Sequence, residues 1–69
     1  MTQEQMVLEY LKEHGSITSM QAVYDLGITR LSERIRRLRK DHTIITEMVT
    51  EENRYGKLTT FARYYLKEA

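Results

Sequence analysis

Apolar side chains recur every three to four residues through the first forty positions of this chain and then switch to alternation, so helices are expected first and strands after. Thr2-Gln-Glu-Gln5 has the form of a capping box: the Thr2 hydroxyl is available to a backbone N–H and the Gln5 amide can reach back, with Met1 and Met6 at the staple positions. Met6, Val7, Tyr10, Leu11 and His14 then fall on one stripe, Glu4, Glu9, Lys12 and Glu13 on the wet side, and Gly15 is placed to terminate, which predicts a first helix over 3–14. The same device recurs at Thr18-Ser-Met-Gln21, preceded by Ile17, and opens a short helix with Ala22, Val23 and Leu26 on one side and Gly27 at its end. Only Gly27, Ile28 and Thr29 separate it from the next amphipathic pattern, so the two helices must meet at a steep angle. Thr29 is positioned to cap a third helix over 30–40, in which Leu31, Ile35 and Leu38 form one narrow inward stripe.

After Lys40 the period becomes 2. Residues 43–50 are rich in β-branched side chains and 58–66 in Thr and aromatics, and both read as strands. The polar connection 51–57 contains Asn53 and Gly56, two residues able to take positive φ, and so predicts an antiparallel hairpin with a projecting tip. A short further strand around 16–18 is also compatible, with Ile17 pairing onto the hairpin. The order is therefore three helices followed by a two-stranded antiparallel β-hairpin, an α+β arrangement expected to form one domain over 1–69.

Composition narrows the chemistry. At 69 residues and 41% hydrophobic the chain is near the size where one core can just hold a fold, too small for a large internal cavity. It has no cysteine, which removes a disulfide framework, a thiolate zinc site and a cysteine nucleophile together. No apolar run approaches the ~20 residues that span a bilayer, and the opening MTQEQMVLEY lacks a basic start followed by an apolar stretch, so a soluble, cytoplasmic protein without membrane partners is expected. His14 and His42 lie in different elements with no carboxylate or thiol at ligand spacing, so no metal site is predicted. Nothing resembles a phosphate-cradling glycine loop or a nucleophile triad; neither a cofactor, a small-molecule ligand nor enzymatic activity is expected.

Charge is what singles out one element. Residues 30–40 hold six of the eleven basic side chains and one acid, Glu33, for a net +5; the whole chain is +1, leaving −4 elsewhere. Opposite the Leu31/Ile35/Leu38 stripe lie Arg36, Arg37, Lys40 and Glu33, flanked by Arg30 and Arg34 on one side and Ser32 and Arg39 on the other. Arginine's planar fork pairs in bidentate fashion with guanine O6 and N7 or with phosphate, and a helix of this length fits the major groove of B-DNA. A charge run is more often a solvated face, but solvated faces mix signs, as the first helix does. The base-facing candidates are accordingly Thr29, Arg30, Ser32, Glu33, Arg36 and Arg37. Phosphate contacts are expected from Arg34, Arg39 and Lys40, and from Ser19 and Gln21 of the second helix. Asn53, Arg54, Tyr55 and Lys57 are the candidates at the hairpin tip, where Glu51 and Glu52 oppose phosphate contact. Glu33 has two readings, a partner of Arg30 or Arg37 within the helix and an acceptor for a cytosine amino group, and Lys40 also suits the helix C-terminal dipole.

The run Ile17-Thr-Ser-Met-Gln-Ala-Val-Tyr-Asp-Leu-Gly-Ile-Thr-Arg-Leu-Ser-Glu-Arg-Ile-Arg-Arg-Leu-Arg-Lys40, followed by Ile44-Ile-Thr-Glu, Asn53-Arg-Tyr-Gly56 and Ala62-Arg-Tyr-Tyr-Leu66, resembles the small winged helix-turn-helix proteins common in bacteriophages and prophages. The resemblance implies a double-stranded DNA-binding domain with helix two as support, helix three for recognition and the hairpin as wing, acting as a transcriptional regulator or an excisionase-like architectural factor. The more familiar helix-turn-helix pattern puts an apolar residue about six positions after the turn glycine, where this chain has Glu33; here the apolar positions fall four, eight and eleven after Gly27. A homodimer or a tandem array on DNA is expected, because one small module binds weakly, and helix one and Tyr64-Tyr65-Leu66 are candidate dimer surfaces. The alternative is a protein-binding winged domain, such as a phage-encoded inhibitor docking on a host complex, for which the −4 outside helix three supplies a second charged face.

Overall fold

The computed structural model describes residues 1–67. Helix α1 spans Gln3–His14, and both capping-box bonds are made: Gln5 N donates to Thr2 Oγ1 at 3.1 Å and Thr2 N to Gln5 Oε1 at 2.8 Å. Gly15 ends it with φ 85°, a left-handed conformation that a side chain would strain, and its N–H donates to Leu11 O at 2.8 Å. Strand β1, Ser16–Thr18, follows directly and leads into α2, Ser19–Gln21, capped by a second reciprocal pair between Thr18 and Gln21 at 3.2 and 3.0 Å. Residues Ala22–Leu26 continue as a wider π-helical segment that closes on Gly27, at φ 68°, with Ile28 N donating to Ala22 O at 3.0 Å. The widened turn carries Ala22 and Ile28 into the core.

Helix α3 runs Leu31–Leu38, shorter at both ends than the expected 30–40. Arg30 is its N-cap residue, at φ −117°, ψ 58°, and no side chain caps the helix, so Thr29 does not serve as the cap. At the other end the backbone tightens, Lys40 N reaching Arg37 O at 3.3 Å and Asp41 N reaching Leu38 O at 3.1 Å, which puts Arg39 and Lys40 in the exit turn.

Strands β2, Ile44–Glu52, and β3, Leu58–Leu66, pair antiparallel from Ile44↔Leu66 to Glu52↔Leu58. The ribbon is thus longer and the tip shorter than the alternation predicts, because Glu51 and Glu52 pair with Thr59 and Leu58 instead of looping out. The sheet has three strands, not the two of a plain hairpin. Ser16, Ile17 and Thr18 pair with Tyr65, Tyr64 and Arg63, giving the order β1-β3-β2. This corrects the two-stranded expectation and bears out the pairing of Ile17; a three-residue strand is too short to show alternation and is set by its partner.

Paired residues share a face, so Ile44, Leu66, Tyr64 and Ile17 lie together on the side toward the helices. Their neighbours in the core are Val7, Tyr10 and Leu11 of α1, Ala22, Ile28, and Leu31, Ile35 and Leu38 of α3. His14, grouped with the inward stripe by spacing, is exposed, its ring 4.4 Å from that of Tyr10. Residues 50–60 are all exposed, so the end of the ribbon projects beyond the helices as a wing.

Ile35, 1% exposed at the centre of the α3 stripe, should be costly to truncate: Ile35→Ala is expected to lower unfolding stability by about 2–5 kcal/mol. Met48→Ala, at 62% exposure on the ribbon, should change it by under ~0.5 kcal/mol. Urea titrations followed by circular dichroism measure both; equal losses would contradict the assigned core.

Candidate nucleic-acid interface

Three of the eight residues of α3, Leu31, Ile35 and Leu38, are buried, and this fixes which way the others point. Ser32, Arg36 and Arg37 are exposed, as are Arg30 and Lys40 at the two ends. Glu33 sits one helical turn before Arg36 and Arg37, the spacing at which side chains meet on a helix surface. It accepts from Arg36 through both oxygens, Nη2 to Oε1 at 2.5 Å and Nε to Oε2 at 3.3 Å, and stands 3.7 Å from Arg37 Nε. The Arg36 hydrogen bond, followed by the charges of Arg36, Arg37 and Arg30, holds the Glu33 carboxyl below its ordinary value against the opposing effect of burial. The same bond raises Arg36.

A second carboxylate reaches the cluster from outside the helix. Glu4 Oε1 accepts from Arg34 Nη1 at 2.7 Å and from Arg37 Nη1 at 3.5 Å, binding α1 to α3. Arg34 is only 20% exposed, and its Nε is buried without a hydrogen-bond partner. Glu4 is held below its ordinary value, first by its own backbone N–H and then, with burial opposing, by Arg34 and Arg37. The sequence contained a signal for this contact: on a 100° wheel Glu4 lies close to Leu11, at the rim of the buried stripe of α1, although reading it by charge alone puts it on the wet side. Five basic side chains, Arg30, Arg34, Arg36, Arg37 and Lys40, against Glu33 and Glu4 leave this surface at +3.

Arg39 points the other way, to the sheet. Its Nε donates to Ile44 O at 3.2 Å and its Nη2 to Thr46 Oγ1 at 2.6 Å. Because Lys67 N bonds Thr43 O, the odd residues of β2 face β3 and Ile44 O lies on the free edge of the sheet; Arg39 covers that carbonyl and couples the end of α3 to the base of the wing. Among the described residues Arg30 and Lys40 make no side-chain hydrogen bond or ion pair.

At the wing tip Asn53 organises the turn: its Oδ1 accepts from Tyr55 N at 2.9 Å and Lys57 N at 3.1 Å, while Gly56, at φ 74°, donates to Asn53 O at 3.0 Å. Gly56 alone of the expected pair takes positive φ; Asn53 does its work through the side chain. Arg54, Tyr55 and Lys57 are exposed around it. Ser19 and Gln21 stand apart from the arginine cluster. With Thr18, Met20, Glu51, Thr59, Phe61 and Arg63 they line a groove of about 530 Å³ between the start of α2 and the ribbon, to which no α3 residue contributes. The site residues therefore form three groups: the α3 surface, the wing tip, and the α2 groove.

A helix-turn-helix pair followed by a β-ribbon, on a sheet completed by a strand between α1 and α2, defines a winged helix-turn-helix fold. A family model described as a winged helix-turn-helix domain matches residues 2–69, and the chain belongs to that family. No curated protein matches it by sequence. Among the described residues no group of three or more His, Cys, Asp or Glu is placed to hold a metal ion, and no helix is long and apolar enough to cross a membrane.

The Glu4 contact has a pH signature. A carboxyl held below its unfolded value, near 4.5, contributes stability that is present above that value and lost as pH falls through the lower, folded one. Glu4→Gln should melt below the wild type at neutral pH, and the two should converge as pH falls below the ordinary carboxylate value and through the lower, folded one. A gap in melting temperature that stays constant with pH would show that Glu4 acts by packing and not by charge.

Proposed function

We propose that the chain is a sequence-specific double-stranded DNA-binding protein, with α3 in the major groove and the wing, 51–57, on the backbone or in the minor groove. The observation that carries this reading is the division of α3 into an apolar underside and an arginine-rich outer face immediately after a tight helix-helix turn. Eight residues make a helix about 12 Å long, which a major groove roughly 12 Å wide admits. Membership of the winged helix-turn-helix family supports the same class of partner.

In this reading Thr29, Arg30, Ser32, Glu33, Arg36 and Arg37 face the bases. Phosphates are met by Lys40, by Arg34 and Arg39 as far as their bonds to Glu4 and Ile44 allow, and by Ser19 and Gln21 at the start of α2. Asn53, Arg54, Tyr55 and Lys57 form the wing contact. One small module supplies few phosphate contacts, so the protein acts as a dimer or in tandem along DNA. The resemblance of the 17–40 run to small phage and prophage proteins supports a role as a transcriptional regulator or an excisionase-like architectural factor. A second reading, a module that binds a host protein, draws on the exposed apolar residues of the second helix: Met20, Val23 and Tyr24 are 64, 45 and 79% exposed.

Fluorescence anisotropy against random and pool-selected duplexes at several salt concentrations tests the proposal. Arg36→Ala/Arg37→Ala should weaken binding at least ~10-fold, with the circular dichroism spectrum unchanged. The salt slope should fall by as much as ~0.9 for each phosphate that the variant no longer neutralises. No affinity of the wild type for any duplex at low salt, together with a host protein that stays bound through nuclease and high salt, would replace it with the second reading.

A further inference from the structure

We infer that Glu33 is a positioning residue for sequence discrimination: it holds Arg36 so that one fixed edge of the guanidinium faces a guanine. This rests on the DNA-binding reading of α3. Arg36 is 70% exposed, so on its own such a long side chain would sample many rotamers, and ordering it on a base would cost conformational entropy. The structure restrains it by other means. The Glu33 carboxylate, only 28% exposed, engages Nε–H and one Nη2–H together, the side-on edge of the fork. Of the five N–H groups of a guanidinium, the second Nη2–H and the two on Nη1 remain. One from each Nη forms the end-on edge, which matches the paired acceptors O6 and N7 of guanine.

The same carboxylate is a negative charge on a surface that meets phosphates, and so it lowers sequence-independent affinity. Glu33 therefore has two separable effects of opposite sign, weaker binding to any duplex and sharper choice among duplexes. A direct contact from Glu33 to a cytosine amino group predicts a different dependence, since it would act with or without Arg36.

The test compares wild type, Glu33→Gln, Glu33→Asp, Arg36→Ala and the Glu33→Gln/Arg36→Ala double variant, each checked for native circular dichroism. Dissociation constants are measured at one salt concentration for a duplex selected from a random pool by the wild type and for a scrambled duplex of the same composition. Glu33→Gln should bind the scrambled duplex a few-fold more tightly, with the ratio of the two affinities falling about tenfold. Glu33→Asp keeps the charge but is too short to hold Arg36 in the same way, so its scrambled-duplex affinity should match the wild type while its ratio also falls. In the Arg36→Ala background Glu33→Gln should not change the ratio further. An unchanged ratio in both Glu33 variants, or the same loss without Arg36, would overturn the inference while leaving DNA binding intact. Wild-type protein that binds DNA but selects no duplex would overturn it too, and wild-type protein that binds neither duplex would remove the DNA-binding reading with it.

Discussion

Burial of Leu31, Ile35 and Leu38 against Val7 and Leu11 of α1 and the neighbouring core is the contact on which the arrangement of charge depends. An eight-residue helix is too short to be stable on its own and takes its stability from the face it packs. Here that face is three residues wide, so the remaining five, together with the residues at the two ends, are directed outward or to the rim. The fold thereby turns a run of basic sequence into a surface on which Arg36 and Arg37 face solvent and Arg34 does not. Rotating the stripe by one residue would exchange Arg36 for Ile35, which burial of an unpaired guanidinium forbids.

Around that helix the protein uses charge to fix orientation. Glu4 joins α1 to Arg34 and Arg37, Arg39 joins the exit turn to the edge of β2, and Glu33 draws Arg36 and Arg37 to one place. Each contact takes donors from the basic surface, and Glu4 and Glu33 also reduce its charge. What is gained is a fixed relation between α3, α1 and the wing, on a chain with no cysteine and, among the described residues, a core of only ten buried apolar residues. For a DNA-binding surface this exchange favours choice of site over strength of binding, because bulk attraction follows net charge whereas discrimination follows the placement of a few donors.

Much of this was legible in the sequence, and the gaps have physical causes. Both capping boxes, the ends at Gly15 and Gly27, and the α3 stripe were readable because each depends on residues within one turn of one another. Strand β1 was legible only as a possibility, since Ser16–Thr18 gets its conformation from pairing with Tyr65, Tyr64 and Arg63 nearly fifty positions away. The roles of Glu4 and Arg39 were missed for the same reason: their partners are distant in sequence or lie in another element, and a charged residue on an amphipathic helix is taken by default as solvated. Glu33 was half legible: its spacing pointed to Arg30 or Arg37, and Arg37 does stand 3.7 Å away, but the bidentate partner is Arg36, which the sequence reading did not name.

The most direct measurement of whether the outer face of α3 reads the major groove uses chemically altered duplexes. In a site selected by the wild-type protein, replacing individual guanines by 7-deazaguanine removes the major-groove N7, and replacing them by inosine removes only the minor-groove amino group. An arginine of α3 reading guanine predicts at least one position where 7-deazaguanine weakens binding by about tenfold and inosine leaves it nearly unchanged. Sensitivity to inosine alone, or to neither substitution at any position, would contradict it.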